Sequence, residues 1–140
     1  MQRGRRIAFD YGQVRIGVAV CDPDGIISTP LPVLRAQSKN LKEEIVAMIA
    51  QYQPIKIFVG LPKQLSGDEG SSAEKARNFA NYLSEISEVE VVLIDERLST
   101  VSAQSKLRDL GKSTKESRSS IDSVAAVEIL EAGIANERLN

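Results

Sequence analysis

Alternation of apolar and polar residues predicts strands at the start of the chain. Ile7, Phe9 and Tyr11 alternate with Ala8 and Asp10, which is the pattern of a strand with two different faces. Further strand-like runs follow at residues 15–21 and 26–34. The short connections between these runs favour an antiparallel meander. Two prolines in the third run place it at a sheet edge, because proline cannot donate to a strand ladder.

Helical spacing then replaces the alternation. A first helix is predicted after Ser38, which could cap it, and Pro54 ends it. A second helix is predicted after Ser71, which forms a capping-box pattern with Glu74. Nearly continuous apolar runs follow each of these helices, at residues 55–60 and 89–94. Such runs are typical of buried parallel strands.

The last third of the chain predicts two more helices. One starts at Ser99 or Thr100 and ends at Leu110, and the other runs from about Ser119 to about Ala135. The polar residues 112–119 between them are predicted to be mobile. The order of elements therefore predicts one α/β domain over residues 1–140. It is a mixed five-stranded sheet, with the first three strands antiparallel and helices on both faces.

The amino-acid composition excludes several kinds of catalytic and metal site but says little about the fold. The chain has no histidine, so it cannot hold a Ser-His-Asp or Cys-His catalytic apparatus, and a zinc site would lack its usual ligands. Cys21 is the only cysteine and is interpreted as a small buried residue, with an intermolecular disulfide as the minor alternative. The net charge of −1 gives no global sign of a nucleic-acid partner.

Neither a signal peptide nor a membrane span is indicated. The basic N-terminus is not followed by an apolar block, and no run approaches the roughly 20 apolar residues of a membrane span. The sequence therefore predicts a soluble, cytoplasmic protein without membrane contacts.

Acidic residues stand at the ends of predicted elements. Asp10 ends the first strand, Asp95 and Glu96 end the fifth, and Asp122 opens the last helix. Carboxylates that converge at one sheet edge, without histidine, indicate Mg²⁺ or Mn²⁺. Neighbouring residues of a strand point to opposite faces, so only one of Asp95 and Glu96 can join Asp10. Each of these residues also has a simpler role at a turn or helix start.

The spacing of residues in the last predicted helix indicates where a third carboxylate would lie. Asp122 shares a helical face with Ala125, Ala126 and Ile129, and this apolar face should pack on the sheet. Acidic residues rarely face a core unless they are paired or bind a metal. Carboxylates placed in this way could hold two metal ions that hydrolyse a phosphodiester without a protein base.

At these residues the chain resembles the YqgF (RuvX) family. The matching segments are residues 9–12, 15–17, 59–62, 95–100, 121–126 and 129–130. The resemblance implies a ribonuclease H-like fold, similar to that of RuvC-type Holliday junction resolvases. It also implies a nuclease that matures the 5′ end of pre-16S ribosomal RNA.

The resemblance also implies roles for individual residues. Asp10, Glu96 and Asp122 are its catalytic and metal-binding positions, so it favours Glu96 over Asp95. The candidate substrate-binding residues within the motifs are Arg15, Arg97, Ser99 and Thr100. The basic residues Lys112, Lys115 and Arg118 form a separate cluster that is predicted to bind nucleic acid.

Two other functions stay open from the sequence. A Holliday junction resolvase-like DNA nuclease would cut branched DNA and act as a dimer. A non-catalytic nucleic-acid-binding module in ribosome assembly or transcription would keep the fold without binding metal. The predicted partner is structured RNA or branched DNA, and the protein is expected to be a monomer or homodimer.

Overall fold

A computed structural model describes residues 1–62, 70–96 and 114–139, and for 114–122 it describes the helix but not the side chains. The helix predicted to end at Leu110 lies outside these residues. The strands are β1 (Arg6–Tyr11), β2 (Arg15–Cys21), β3 (Ser28–Arg35), β4 (Lys56–Leu61) and β5 (Glu90–Asp95). The helices are α1 (Leu41–Tyr52), α2 (Ser71–Ile86) and α3 (Thr114–Leu139).

The strands form the mixed sheet that the sequence predicts. Its order is β3-β2-β1-β4-β5, with β1–β2 and β2–β3 antiparallel and β1–β4 and β4–β5 parallel. The proline-containing strand β3 lies at an edge, as expected from its missing backbone donors. The parallel strands β4 and β5 bring their carboxyl ends to the same edge as that of the central strand β1.

Two apolar clusters cover the two faces of the sheet. Ile7 and Phe9 of β1 pack in the cluster that includes residues of α1 and α2. Ala8 of the same strand packs in the other cluster, which includes the buried apolar residues of α3. The alternation in β1 therefore predicted both faces correctly, and the helices lie on both sides of the sheet.

The predicted helix starts are wrong in detail. Helix α1 has Asn40 at its N-cap position, and the Ser38 hydroxyl instead donates to the Glu44 carboxylate at 3.0 Å. Helix α2 begins at Ser71 itself, with Gly70 at the N-cap position and no capping side chain, so the predicted capping box does not form. The predicted caps Ser38 and Ser71 therefore lie two residues before and one residue after the actual N-cap positions.

The last helix is longer than predicted at both ends. It begins at Thr114 rather than near Ser119 and ends at Leu139 rather than near Ala135. Residues 114–119 are therefore helical, not a mobile loop, and Asp122 lies well inside the helix rather than opening it. No helix among the described residues is both long enough and apolar enough to span a membrane.

Candidate active site

Asp10 lies at the carboxyl end of the central strand. It is opposite Gly17 of β2 and is partly buried. Side chains of a strand alternate between faces, so Asp10 lies on the same face as Ala8, which is packed in the cluster with α3. Asp10 is therefore on the α3 side of the sheet, where its position in the alternating pattern predicted it.

Gly60 makes room for a second carboxylate beside Asp10. Phe9 pairs with Val59, so Gly60 follows next to Asp10 in the parallel register. A Cβ atom at Gly60 would lie 2.6 Å from Cδ of Glu96 and 2.5 Å from Cδ1 of Ile129. The glycine thus provides the space in which the Glu96 side chain lies across β4, beneath α3.

The two carboxylates Asp10 and Glu96 interact directly. The pKa of Glu96 is raised from 4.5 to about 8, first by burial, then by the charge of Asp10 and a hydrogen bond with it, and last by the charge of Asp95. Two carboxyl groups at hydrogen-bond distance cannot both ionise without repulsion, so they share a proton at neutral pH. The fold therefore forces together two acidic groups that repel each other when both are charged.

The structure distinguishes Glu96 from Asp95. Asp95 is exposed and lies opposite Leu61 of β4. Glu96 follows the end of β5 and reaches Asp10, to which it is hydrogen-bonded. Of the two residues that strand periodicity could not separate, Glu96 is the one that joins Asp10.

Apolar packing and a hydrogen bond from Ser123 help to hold helix α3 over this pair. Ala126 and Ile129 are fully buried against the sheet. The buried Ser123 hydroxyl donates to the main-chain oxygen of Leu31 in β3 at 2.8 Å. Asp122 directly precedes Ser123 on the helix, but its side chain lies outside the described residues. Among the described side chains, no group of three potential metal ligands occurs.

The predicted substrate-binding residues are only partly covered by the structure. Arg15 starts β2, is partly buried, and lies opposite Arg35 of β3. Lys115 and Arg118 belong to the first turns of α3, and their side chains are not described. The others lie outside the described residues, namely Arg97, Ser99, Thr100 and Lys112. The roles of all these residues stay predictions.

Two residues of the site were missed in the sequence. The sequence contained a signal for Gly60, because a glycine inside an apolar strand often marks the close approach of another group. Ser123 had none, since its hydroxyl bonds to a residue far away in the chain. Cys21, in contrast, is buried as predicted. Its sulfur accepts a hydrogen bond from the main-chain N–H of Arg6, and burial raises the pKa of its thiol.

Solved structures with a similar fold identify the fold class of this chain. RuvC of Thermus thermophilus in complex with a Holliday junction substrate superposes with a TM-score of 0.57 at 13% identity, covering 97% of this chain and 96% of RuvC. A second Thermus thermophilus RuvC structure gives a TM-score of 0.55 at 14% identity and covers 96% of both chains. The chain has this ribonuclease H-like fold.

Sequence comparison then identifies the family. The profile of RuvX, described as Holliday junction resolvase, matches residues 4–136, and the chain belongs to this family. A Streptomyces coelicolor relative named "Putative pre-16S rRNA nuclease" is 44% identical over 142 residues, covering 100% of this chain and 85% of the relative. A Mycobacterium ulcerans relative of the same name is 43% identical over 139 residues, covering 97% of this chain and 81% of the relative.

Proposed function

We propose that this protein is a metal-dependent endonuclease that hydrolyses phosphodiester bonds during 5′-end processing of pre-16S rRNA. The observation that carries the proposal is the pair formed by Asp10 and Glu96 at the carboxyl ends of the parallel strands. The membership of the RuvX family and the names of its close relatives support the reaction and the substrate. We expect the protein to act in the cytoplasm, as a monomer or homodimer.

The carboxylate pair fits a divalent cation. Burial and the neighbouring charge of Asp10 disfavour a charged Glu96, and a cation between the two groups would remove this repulsion. Carboxylate oxygens are the ligands that Mg²⁺ and Mn²⁺ prefer. Asp10, Glu96 and Asp122 are the residues that would hold the metal.

Each residue contributes a separate part of the proposed reaction. Bound Mg²⁺ or Mn²⁺ would supply an activated water and stabilise the leaving oxygen. Asp10 and Glu96 would supply carboxylate oxygens as metal ligands. To bind the metal, Glu96 would have to release the proton that it shares with Asp10. Gly60 leaves room for the Glu96 side chain, and Arg15 would contact a phosphate of the substrate near Asp10.

A DNA nuclease acting on four-way junctions is the second candidate. It is favoured by the description of the RuvX family as Holliday junction resolvase. The same carboxylates would serve either substrate, because they act on the phosphodiester and not on the base or sugar. A binding module without catalysis predicts that neither substrate is cut.

The test compares both substrates in parallel. Wild-type protein is incubated with a precursor 16S rRNA fragment and with a four-way DNA junction, in Mg²⁺, in Mn²⁺ and in EDTA. We expect metal-dependent cleavage of the RNA, and loss of that cleavage in Asp10→Asn.

The matched control is Asp24→Asn, since Asp24 is exposed in the turn before β3. Cleavage of the DNA junction alone would favour the second candidate. Cleavage of neither, in protein shown to be folded, would contradict a nuclease.

A further inference from the structure

We propose that a pocket on the opposite face of the sheet binds an unpaired nucleobase of the substrate strand, next to the phosphodiester that is cut. The inference rests on the proposed function, because it assigns a second contact to the same nucleic-acid substrate. The aromatic pocket, as we call it, has a volume of about 320 Å³. Its lining includes Tyr11, Leu41, Lys75, Asn78, Phe79 and Tyr82.

Three aromatic rings form a row in this pocket. The Phe79 ring lies between those of Tyr11 and Tyr82, with centroid distances of 4.9 Å and 6.4 Å and interplanar angles of 32° and 27°. Phe79 is buried, whereas the two tyrosines are only partly buried and line the pocket. Flat, partly exposed rings are the surface on which unpaired bases stack.

The polar groups at the pocket suit a nucleotide. Lys75 is the only charged residue that lines it among the described residues, and its ammonium group could contact a phosphate. Asn78 is exposed on the same helix, and its amide can both donate and accept hydrogen bonds to a base edge. A pocket of this volume lies at the small end of the range for small-molecule sites, as expected for one base.

The position of the pocket connects it to the candidate active site. Tyr11 directly follows Asp10 on β1, so their side chains lie on opposite faces at the same end of the strand. Tyr11 packs in the cluster with α2, and Asp10 lies on the side of α3. A nucleic-acid strand that crosses this end of β1 would present a phosphate to Asp10 and a neighbouring base to the pocket.

Such a contact would select single-stranded or distorted substrate. A base inside a duplex is already stacked and cannot enter the pocket, whereas an unpaired base can. The pocket thus assigns the substrate class as nucleic acid with an unpaired nucleotide beside the cleaved bond.

The test measures binding without cleavage. A short single-stranded RNA containing one 2-aminopurine is titrated with protein in EDTA, and a duplex of the same sequence is titrated in parallel. Loss of a stacked base should weaken binding about 5- to 150-fold. We expect this loss in Tyr82→Leu, together with loss of the fluorescence quenching of the 2-aminopurine. Tyr52→Leu is the matched control, because Tyr52 packs in the same cluster but does not line the pocket.

A second pair of variants keeps the test valid if Tyr82→Leu does not fold. Asn78→Glu places a negative charge at the pocket and should weaken binding, while Asn81→Glu on the same helix should not, since Asn81 is exposed and outside the lining.

Equal effects of Asn78→Glu and Asn81→Glu would overturn the proposal. So would wild-type binding of duplex as tightly as single strand. Because no cleavage is measured, a protein that binds in this way but never cuts would contradict only the proposed function.

Discussion

Replacing Glu96 with glutamine is expected to stabilise the metal-free protein while abolishing cleavage. Glutamine has nearly the same shape, can donate a hydrogen bond to Asp10 and cannot ionise. It therefore removes the repulsion between two carboxylates that the fold holds together. A residue retained for function at a cost in stability is the physical signature expected of a ligand-binding site.

The pKa of Glu96 sets the size and the pH range of the effect. It rises from 4.5 to about 8 in the folded protein, and at about 1.4 kcal/mol per pKa unit the upper limit is about 5 kcal/mol. Glu96 is only partly buried, and solvent screening reduces the effect, so we expect about 1–3 kcal/mol.

Below pH 4.5 both the folded and the unfolded chain carry a protonated Glu96. As the pH rises, the unfolded chain loses this proton first, so stability is lost until the pH passes about 8. The advantage of the glutamine variant should therefore grow through this interval.

Urea unfolding in EDTA at about pH 5, 7 and 9 measures this difference. Glu88→Gln is the matched control, because Glu88 is exposed in the loop between α2 and β5. Added Mg²⁺ should stabilise the wild type, and more so at high pH, because binding displaces the shared proton. The reasoning is refuted if Glu96→Gln is no more stable than wild type at high pH, or if Glu88→Gln gains as much.

Three further changes test the parts around this pair. Gly60→Ala should lower cleavage at least about tenfold with a stability loss of about 1–3 kcal/mol, because the new methyl displaces the Glu96 side chain; wild-type cleavage would show that this placement does not matter. Ser123→Ala should cost about 1–3 kcal/mol in urea unfolding, since it leaves the main-chain oxygen of a β3 residue without its partner; an unchanged midpoint would contradict that. Neutralising Lys112, Lys115 and Arg118 should weaken RNA binding and flatten its dependence on salt; an unchanged slope would return them to ordinary surface residues.

Local patterns predicted the parts of the site that depend on one strand alone. The face of Asp10 follows from the alternation of β1, because side chains of a strand point to opposite sides with a fixed period. The pairing of strands is different, because it depends on contacts between distant parts of the chain. The register that places Gly60 beside Asp10, and so selects Glu96, could not be read from either strand separately.

The start of α3 shows another limit of pattern analysis. Residues 114–119 contain no apolar stripe, so their polar sequence predicted a mobile segment. They are helical in the structure, continuous with a segment whose buried residues pack on the sheet. Helical backbone can thus extend beyond the apolar face that stabilises it, and such an extension leaves no periodic signal. Asp122 consequently lies inside the helix, where no capping role explains it.

The most direct test of the central claim is a cleavage assay on precursor 16S rRNA with both product ends mapped. Wild-type protein is compared with Asp10→Asn and with the exposed-site control Asp24→Asn, each in Mg²⁺ and in EDTA. The account predicts that wild type and Asp24→Asn make a defined cut near the mature 5′ end in Mg²⁺. It predicts no cut in EDTA and none by Asp10→Asn. Cleavage by Asp10→Asn at the wild-type rate, or equal cleavage in EDTA, would contradict the account.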